Sequence, residues 1–418
     1  MTNKKRLAII CGGGPAPGMN SVISAVTMEA HKQGIEVLGM YDGFSHLAQG
    51  KKNYVVLNYD MVSRIHLNGG CILHMSRYNP TKNEDDLARV VDTLLELGVT
   101  YMVTIGGDDT AFSASKVSEY ARKCGKVINS VHVPKTIDND LPLPEGISTF
   151  GFETARALGT TELENLMEDA RTTNNRWYFA IAMGRTAGHL ALGMGKSAGA
   201  IITIIPEEFK TKEVRLQHVV DLLVGSIVKR NATGRNYGVA VIAEGVIDRI
   251  APEDFSVLGA ACFDDHGHLR YSELDFGDVL KKLVIIELKK IGLNVTIIDK
   301  EIGYELRCAA PISFDIDYTR SLGYAAVSFL MDGGTDAVVS IQNNKIVPLK
   351  YEEIRDENTG KTKVRYVDIH SLNYFIATEY MIRLVKDDFI NEDKLKILAK
   401  EFNLTPERFK EKYEYLVK

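Results

Sequence analysis

Short apolar runs in this chain repeatedly end in a loop rich in glycine or carboxylates, and that loop repeatedly opens an amphipathic helix. Residues 7–11 lead into Gly12, Gly13 and Gly14, and then into 20–32, where Val22, Ile23, Val26 and Ala30 share one helical face. Residues 35–40 resume a strand pattern. The alternation recurs as helix 85–96, strand 101–105, helix 111–123 and strand 127–133. After a helical stretch at 154–169, a second series runs through strand 177–183, helix 189–195, strand 200–205, helix 216–229 and strand 238–243. Repeated βαβ units imply a mostly parallel sheet flanked by helices. In such a sheet the loops leaving the carboxyl ends of the strands gather at one crevice, so residues distant in sequence can act together there.

With 418 residues, the chain is longer than one hydrophobic core usually serves. We therefore expect an α/β protein of two lobes, each a mostly parallel sheet flanked by helices. The first lobe is expected over 1–145, completed by about 310–350, and the second over 146–309. A largely helical extension, 351–418, follows. The turn-rich stretch 139–146 marks the expected boundary, and 264–268 reads as a further connection. In the extension, 391–402 and 405–416 read as helices that serve packing, the second with Thr405 as N-cap and Pro406 at the first helical position.

Hydrophobic residues make up 45% and charged residues 25%, and the formal net charge is −5. That balance offers no general attraction to nucleic acid or to an anionic membrane, so any anion must be met by a local cationic cluster. The five cysteines are odd in number, scattered and without CxxC spacing. This suits a reducing compartment and suggests no zinc site. The N-terminus runs straight into a strand pattern, and the longest uncharged apolar stretch, near 198–206, is too short to span a bilayer. We expect a soluble, cytoplasmic protein.

Four loops carry the chemistry. The first, Gly12 to Gly18, can aim backbone amides and a helix N-terminus at a phosphate. It is neither a Walker A loop, since Met19 and Asn20 stand where Lys and Ser or Thr are needed, nor a GxGxxG loop, which Pro17 interrupts. A tight turn needing positive φ is the alternative reading. In the second loop, Asp108 ends a strand where a carboxylate can help hold Mg²⁺, which favours one or two carboxylates plus substrate phosphates. Asp109 or Thr110 can equally be a cap for a helix starting at Ala111. The third loop sets Lys135 and Thr136 just before Asp138 and Asp140, a set suited to taking a proton from a hydroxyl beside a transferring phosphoryl group. Its alternative is a solvated Asp-Asn-Asp turn. In the fourth, Met183, Gly184 and Arg185 end a strand that Arg176 precedes, and the arginines can grip phosphate as planar forks. Glu244 can accept hydrogen bonds from sugar hydroxyls. Tyr304 and Arg307 add a donor and a cation, or are ordinary strand residues.

Taken in order and at this spacing, GGGPAPGMN, TIGGDDT, PKTIDND, MGR and GYELR resemble the phosphofructokinase family from residue 7 to about 348. The resemblance implies that Gly13 and Gly14 line the phosphoryl-donor site and that Asp108 coordinates Mg²⁺. It implies that Asp138 is the general base for the 1-hydroxyl of fructose 6-phosphate, with Asp140 and Thr136 assisting. Met183, Gly184, Arg185, Glu244, Tyr304 and Arg307 would hold fructose 6-phosphate. In the family Arg176 reaches the sugar phosphate of a neighbouring subunit, which implies a homodimer or homotetramer. Where ATP-using members carry a cation shortly before the last motif, this chain has Ile298 near that register and Lys300 nearby, and that contact stays unassigned.

The donor turns on Asp109 and Lys135, positions where the ATP-using branch usually carries glycine. Both resemble the pyrophosphate-using branch. A carboxylate at Asp109 would crowd the α-phosphate of a nucleotide, and two like charges about 4 Å apart repel by roughly 1 to 4 kcal/mol depending on the local dielectric. Lys135, an ammonium near the leaving phosphate, would favour pyrophosphate in the transition state. The expected reaction is Mg²⁺-dependent and reversible transfer from pyrophosphate to fructose 6-phosphate. An ATP-dependent phosphofructokinase is the runner-up, and a non-catalytic sugar-phosphate-binding homologue is the remote alternative.

Overall fold

The computed structural model describes residues 5–209, 213–254, 275–357 and 362–417. The chain divides into two compact units, Met1–Ala155 with Tyr304–Arg365, and Arg156–Gly303 with Tyr366–Lys418. The strands, in chain order, are β1 (Arg6–Cys11), β2 (Glu36–Met40), β3 (Tyr54–Leu57), β4 (Val99–Gly106), β5 (Asn129–Pro134), β6 (Arg176–Ala182), β7 (Ile202–Ile204), β8 (Gly238–Ala243), β9 (Thr296–Ile302), β10 (Ala337–Val338), β11 (Ile341–Gln342), β12 (Lys345–Ile346) and β13 (Leu349–Lys350).

In the first unit, seven strands lie in the order β13-β10-β5-β4-β1-β2-β3. All neighbours pair parallel except β2 with β3 and β10 with β13, which close the two edges antiparallel. β1 is buried on both faces, which is why its sequence reads as a continuous apolar run. Leu7 and Ile9 pack with Val22 and Val26 of the helix Met19–Lys32 and with Leu322 and Ala326 of the helix Ser313–Met331. Ala8 and Ile10 face the other way, toward Val90 and Leu94 of Glu84–Glu96 and Val117 of Asp108–Lys123. Burying each large aliphatic side chain contributes about 1.5–3 kcal/mol, so packing on both faces of β1 is a substantial stabilising contribution to the unit.

The chain leaves β1 toward β2 on one side and returns to β4 on the other. The carboxyl ends of β1 and β4 therefore flank a topological switch point, the place where an open parallel sheet leaves a crevice. The pairings Cys11↔Ile105 and Gly106↔Pro134 bring the loops after β1, β4 and β5 to the same end of the sheet.

In the second unit, four parallel strands run β7-β8-β6-β9. The residues after 366 complete it. Ile382 N–H donates to Ile201 O at 2.8 Å, and Arg383 forms an ion pair with Glu208 at 2.6 Å. The C-terminal helices Glu392–Glu401 and Pro406–Tyr413 surround Phe389, Phe402, Phe409 and Tyr413, whose neighbouring ring centroids are 4.6–5.6 Å apart. Thr405 caps the last helix, with Pro406 in its first turn.

Several boundaries differ from the expectation. β5 begins at Asn129 because Val127 is 63% exposed and belongs to the loop. Residues 139–146 are held inside the first unit, and the division at Ala155 falls within the helix Phe152–Thr173. The antiparallel edge strand β3, the strand β9 and the helices Phe276–Lys290 and Ser313–Met331 went unread in the sequence. Residues 264–268 and Cys262 lie outside the described residues.

Candidate functional site

The first loop is built for close approach. Gly13 sits at φ 84, in the left-handed region that a side chain disfavours. Its N–H donates to Ser76 O and that of Gly12 to Ile105 O, both at 2.9 Å. These two amides are therefore not bare, contrary to the sequence expectation. The parallel bridge between Gly12 and Ser76 commits them to the backbone network instead. A β-carbon on Gly13 would lie 3.4 Å from Lys135 Nζ, and one on Gly14 would lie 3.3 Å from Arg307 Nη1. Two cations thus line the glycine turn, one from the loop after β5 and one from far down the chain.

Asp108 and Asp109 occupy the first turn of the helix Asp108–Lys123, where the helix dipole favours negative charge. The cap residue is Gly107, so neither Asp109 nor Thr110 caps a helix starting at Ala111. Thr110 is instead buried beneath two glycines. A β-carbon on Gly12 would come within 2.3 Å of its Oγ1, and one on Gly106 within 2.4 Å. Both aspartates are exposed, leaving their carboxylates accessible.

The third loop is pinned at several points. Lys135 N–H donates to Gly106 O at 2.9 Å. Asp138 N–H donates to Thr136 Oγ1 at 3.0 Å, and Thr149 Oγ1 donates to Thr136 O at 2.7 Å. Asn139 takes the left-handed conformation, φ 56, which its short polar side chain tolerates. Behind the loop, His132 is buried between Gly106 O, 2.9 Å from its Nε2, and Thr104 Oγ1, 2.8 Å from its Nδ1. Burial pulls its pKa down to about 3, so the ring is neutral, with Nε2 donating and Nδ1 accepting. Sequence reading passed over His132 because one polar residue in an apolar strand carries no signal of its partners.

Lys135 is only 7% exposed. Burial pulls its ammonium down to about 8, Arg307 pushes the same way, and Asp138, Asp140 and Asp108 oppose. Asp140 is pushed up to about 7, first by burial and then by repulsion from Asp138 and Asp108. One small region therefore holds three mutually repelling carboxylates and two cations.

Among the described residues, no group of three or more His, Cys, Asp or Glu is placed to hold a metal ion by itself. Mg²⁺ requires no such cage, since it usually keeps waters and takes one or two carboxylates with substrate phosphates. The donor set fits: Asp108 is an exposed hard oxygen ligand, and its repulsion of Asp140 is relieved by a cation.

Arg307 and Tyr304 lie on the helical turn Tyr304–Arg307, not on a strand, because β9 ends at Ile302. The guanidinium stacks 4.9 Å above the Tyr304 ring.

In the second unit, the ends of β6 and β8 meet. Gly184, at φ 153, donates its N–H to a Glu244 carboxylate oxygen at 3.3 Å and accepts from Gly245 N–H at 3.0 Å. Met183 N–H donates to Ile302 O at 2.9 Å. Arg185 is exposed beside them. Arg176 is not part of this group. It opens β6, whose seven residues at about 3.3 Å each separate it by roughly 20 Å from the Met183 end. There it forms an ion pair with Asp169 at 2.6 Å, and Tyr178 donates to the same carboxylate. Glu207, also missed, holds the turn after Arg185 by accepting from Gly188 N–H at 2.9 Å and Val367 N–H at 2.9 Å.

No helix among the described residues is long and apolar enough to cross a membrane. A family model described as Phosphofructokinase matches residues 6–330. The chain is 53% identical over 415 residues to a pyrophosphate--fructose 6-phosphate 1-phosphotransferase of Thermotoga maritima, covering 98% of each chain. It is 46% identical over 425 residues to a protein of the same name from Naegleria fowleri, covering 99% of this chain and 96% of the other. Its fold resembles the crystal structure of a pyrophosphate-dependent phosphofructokinase from Marinobacter aquaeolei, with a TM-score of 0.69, 18% identity and coverage of 96% and 92%. With a matching model over most of its length, near full-length relatives and parallel sheets whose strand ends carry the family's loops, the chain belongs to the phosphofructokinase family.

Proposed function

We propose that this protein transfers one phosphoryl group from pyrophosphate to the 1-hydroxyl of D-fructose 6-phosphate, giving fructose 1,6-bisphosphate and orthophosphate, in a reaction that runs both ways. The observation that carries the reading is Lys135, a buried ammonium set against the Gly13 turn and surrounded by the charges of Asp108, Asp138 and Asp140. The names of the two near full-length relatives agree with it in donor and acceptor.

In this reading Asp138 takes the proton from the 1-hydroxyl as it attacks, a contribution of about 10² to 10⁴ in rate. Thr136 orients the loop through its bond to Asp138 N–H, and Asp140 supports the base. Gly13 and Gly14 give the donor close access, while Lys135 compensates the charge on the departing orthophosphate. Asp108 would hold Mg²⁺, which, when bound with the phosphates, would spread the negative charge of the transferring group. Asp109 disfavours a nucleotide by placing a fixed negative charge near where an α-phosphate would lie. Met183, Gly184, Arg185, Glu244, Tyr304 and Arg307 are assigned to fructose 6-phosphate. Arg176 is assigned to the sugar phosphate of a neighbouring subunit in a homodimer or homotetramer, an assignment supported by its distance from the Met183 end of its own strand. A cytoplasmic location belongs to the same reading.

The test compares kcat/KM with pyrophosphate and with ATP at equal Mg²⁺ and fructose 6-phosphate. Preference for pyrophosphate is expected, and preference for ATP would overturn the donor assignment.

A further inference from the structure

Arg365 lies beyond the residues matched by the family model, yet its side chain reaches the loop that carries Asp138. Its guanidinium donates from Nε to Asn139 O at 3.1 Å and from Nη2 to the same oxygen at 3.0 Å. Nη2 also donates to Asn139 Oδ1. Nη1 donates to Ile147 O at 2.7 Å and to Leu143 O at 3.2 Å. The backbone closes the same contact, with Arg365 N–H donating to Asp140 O at 2.8 Å.

These acceptors are the carbonyls of an irregular loop that no sheet or helix can satisfy, and unpaired carbonyls would leave the loop free to seek water in other conformations. Asn139 matters most. It follows Asp138 directly, and its left-handed φ of 56 fixes the course of the backbone immediately beside Asp138. The same Asn139 Oδ1 accepts from Thr149 N–H at 3.0 Å, so one amide links Arg365 to the segment that also anchors Thr136. A planar guanidinium has five donors in fixed directions, and an ammonium cannot reproduce that fork.

We infer that Arg365 is a positioning residue for the phosphoryl-transfer step, holding the Asp138–Asp140 loop in its working conformation, and that the C-terminal segment thereby completes the catalytic apparatus. This rests on the reading of Asp138 as the base. A misplacement of about 1 Å at a reacting group can cost on the order of a hundredfold in rate, so the effect belongs in kcat.

The experiment measures pyrophosphate-dependent turnover for the wild-type protein, Arg365→Met and Arg365→Lys, with thermal melting of each. Absence of turnover in the wild type would sink the functional reading itself. Given wild-type turnover, Arg365→Met is expected to lower kcat at least about tenfold, change KM for fructose 6-phosphate by less than about threefold, and recover part of its kcat on addition of ethylguanidinium. Arg365→Lys is expected to fall between the two, and it carries the test alone if the methionine variant does not fold. Unchanged kcat in a folded variant would overturn the inference. So would a loss shared equally by kcat and the folded fraction, with no rescue by ethylguanidinium.

Discussion

Lys135 Nζ lies 3.4 Å from the place a β-carbon would occupy on Gly13, so the buried ammonium and the glycine turn share one small volume. A side chain at residue 13 would be strained by its φ of 84 and would press on the cation as well. The strand-end glycine leaves the space beside which the buried ammonium lies, and the consequences can be measured.

Lys135 should leave a signature in stability against pH. Its folded pKa of about 8 lies below the ordinary 10.5, so between those values the unfolded chain keeps a proton that the folded protein releases. Stability attributable to this group therefore rises with pH across that window, and its burden is fully present below about 8. That gap corresponds to about 3.4 kcal/mol as an upper limit. Denaturant titrations should show wild type gaining on Lys135→Met by an amount of that order between pH 8 and 10.5. Parallel curves for the two proteins would refute the shift.

The same group should shape the kinetics. We expect kcat/KM for pyrophosphate to fall on its alkaline limb near pH 8, where free Lys135 loses its charge, and Lys135→Arg to move that limb upward. An alkaline limb unmoved by arginine would assign it to another group.

Gly12 and Thr110 offer a packing test separate from chemistry. Gly12→Ala drives a methyl group to within 2.3 Å of Thr110 Oγ1 and should cost roughly 1–3 kcal/mol in unfolding free energy. Thr110→Ala removes the atoms in closest conflict, so the double variant should be more stable than the sum of the two single changes implies. Simple additivity in a double-mutant cycle would show that the two sites do not touch.

For the proposed base, Asp138→Asn keeps the shape of the side chain and removes its ability to accept a proton. Turnover should drop at least about a hundredfold while KM for fructose 6-phosphate stays within a few-fold. Steady-state kinetics check this directly, and near-normal turnover would remove Asp138 from that role.

Asp109→Gly removes the charge set against a nucleotide. If repulsion of about 1–4 kcal/mol guards the site, kcat/KM with ATP should rise at least about fivefold relative to pyrophosphate. An unchanged donor ratio would mean that ATP is excluded by shape or by Lys135 rather than by Asp109.

The order of strands and helices was legible because burial on both faces of a parallel strand, as for residues 7–11, forces an uninterrupted apolar run, and a helix with one buried face must repeat its apolar residues every three to four positions. The loops followed from that. Residues placed just beyond such runs sit at strand ends, so the sequence pattern alone groups Gly13, Asp108, Lys135 and Asp138. The helix start at Asp108 was misread because an aspartate resembles a cap wherever it precedes a helix, and only the backbone showed that Gly107 held that place.

By itself, then, the sequence determined the α/β class, the strand-end loops and the family, since each is written in short local patterns that recur in a fixed order along the chain. Tertiary structure alone decided that Thr110 fills the space under Gly12 and Gly106, that His132 braces Gly106 O, that Arg307 faces Gly14, and that Arg365 clamps Asn139 from 226 residues away. Contacts of that kind depend on which carbonyls and cavities the folded loops leave to be filled, and no local pattern in the sequence records them.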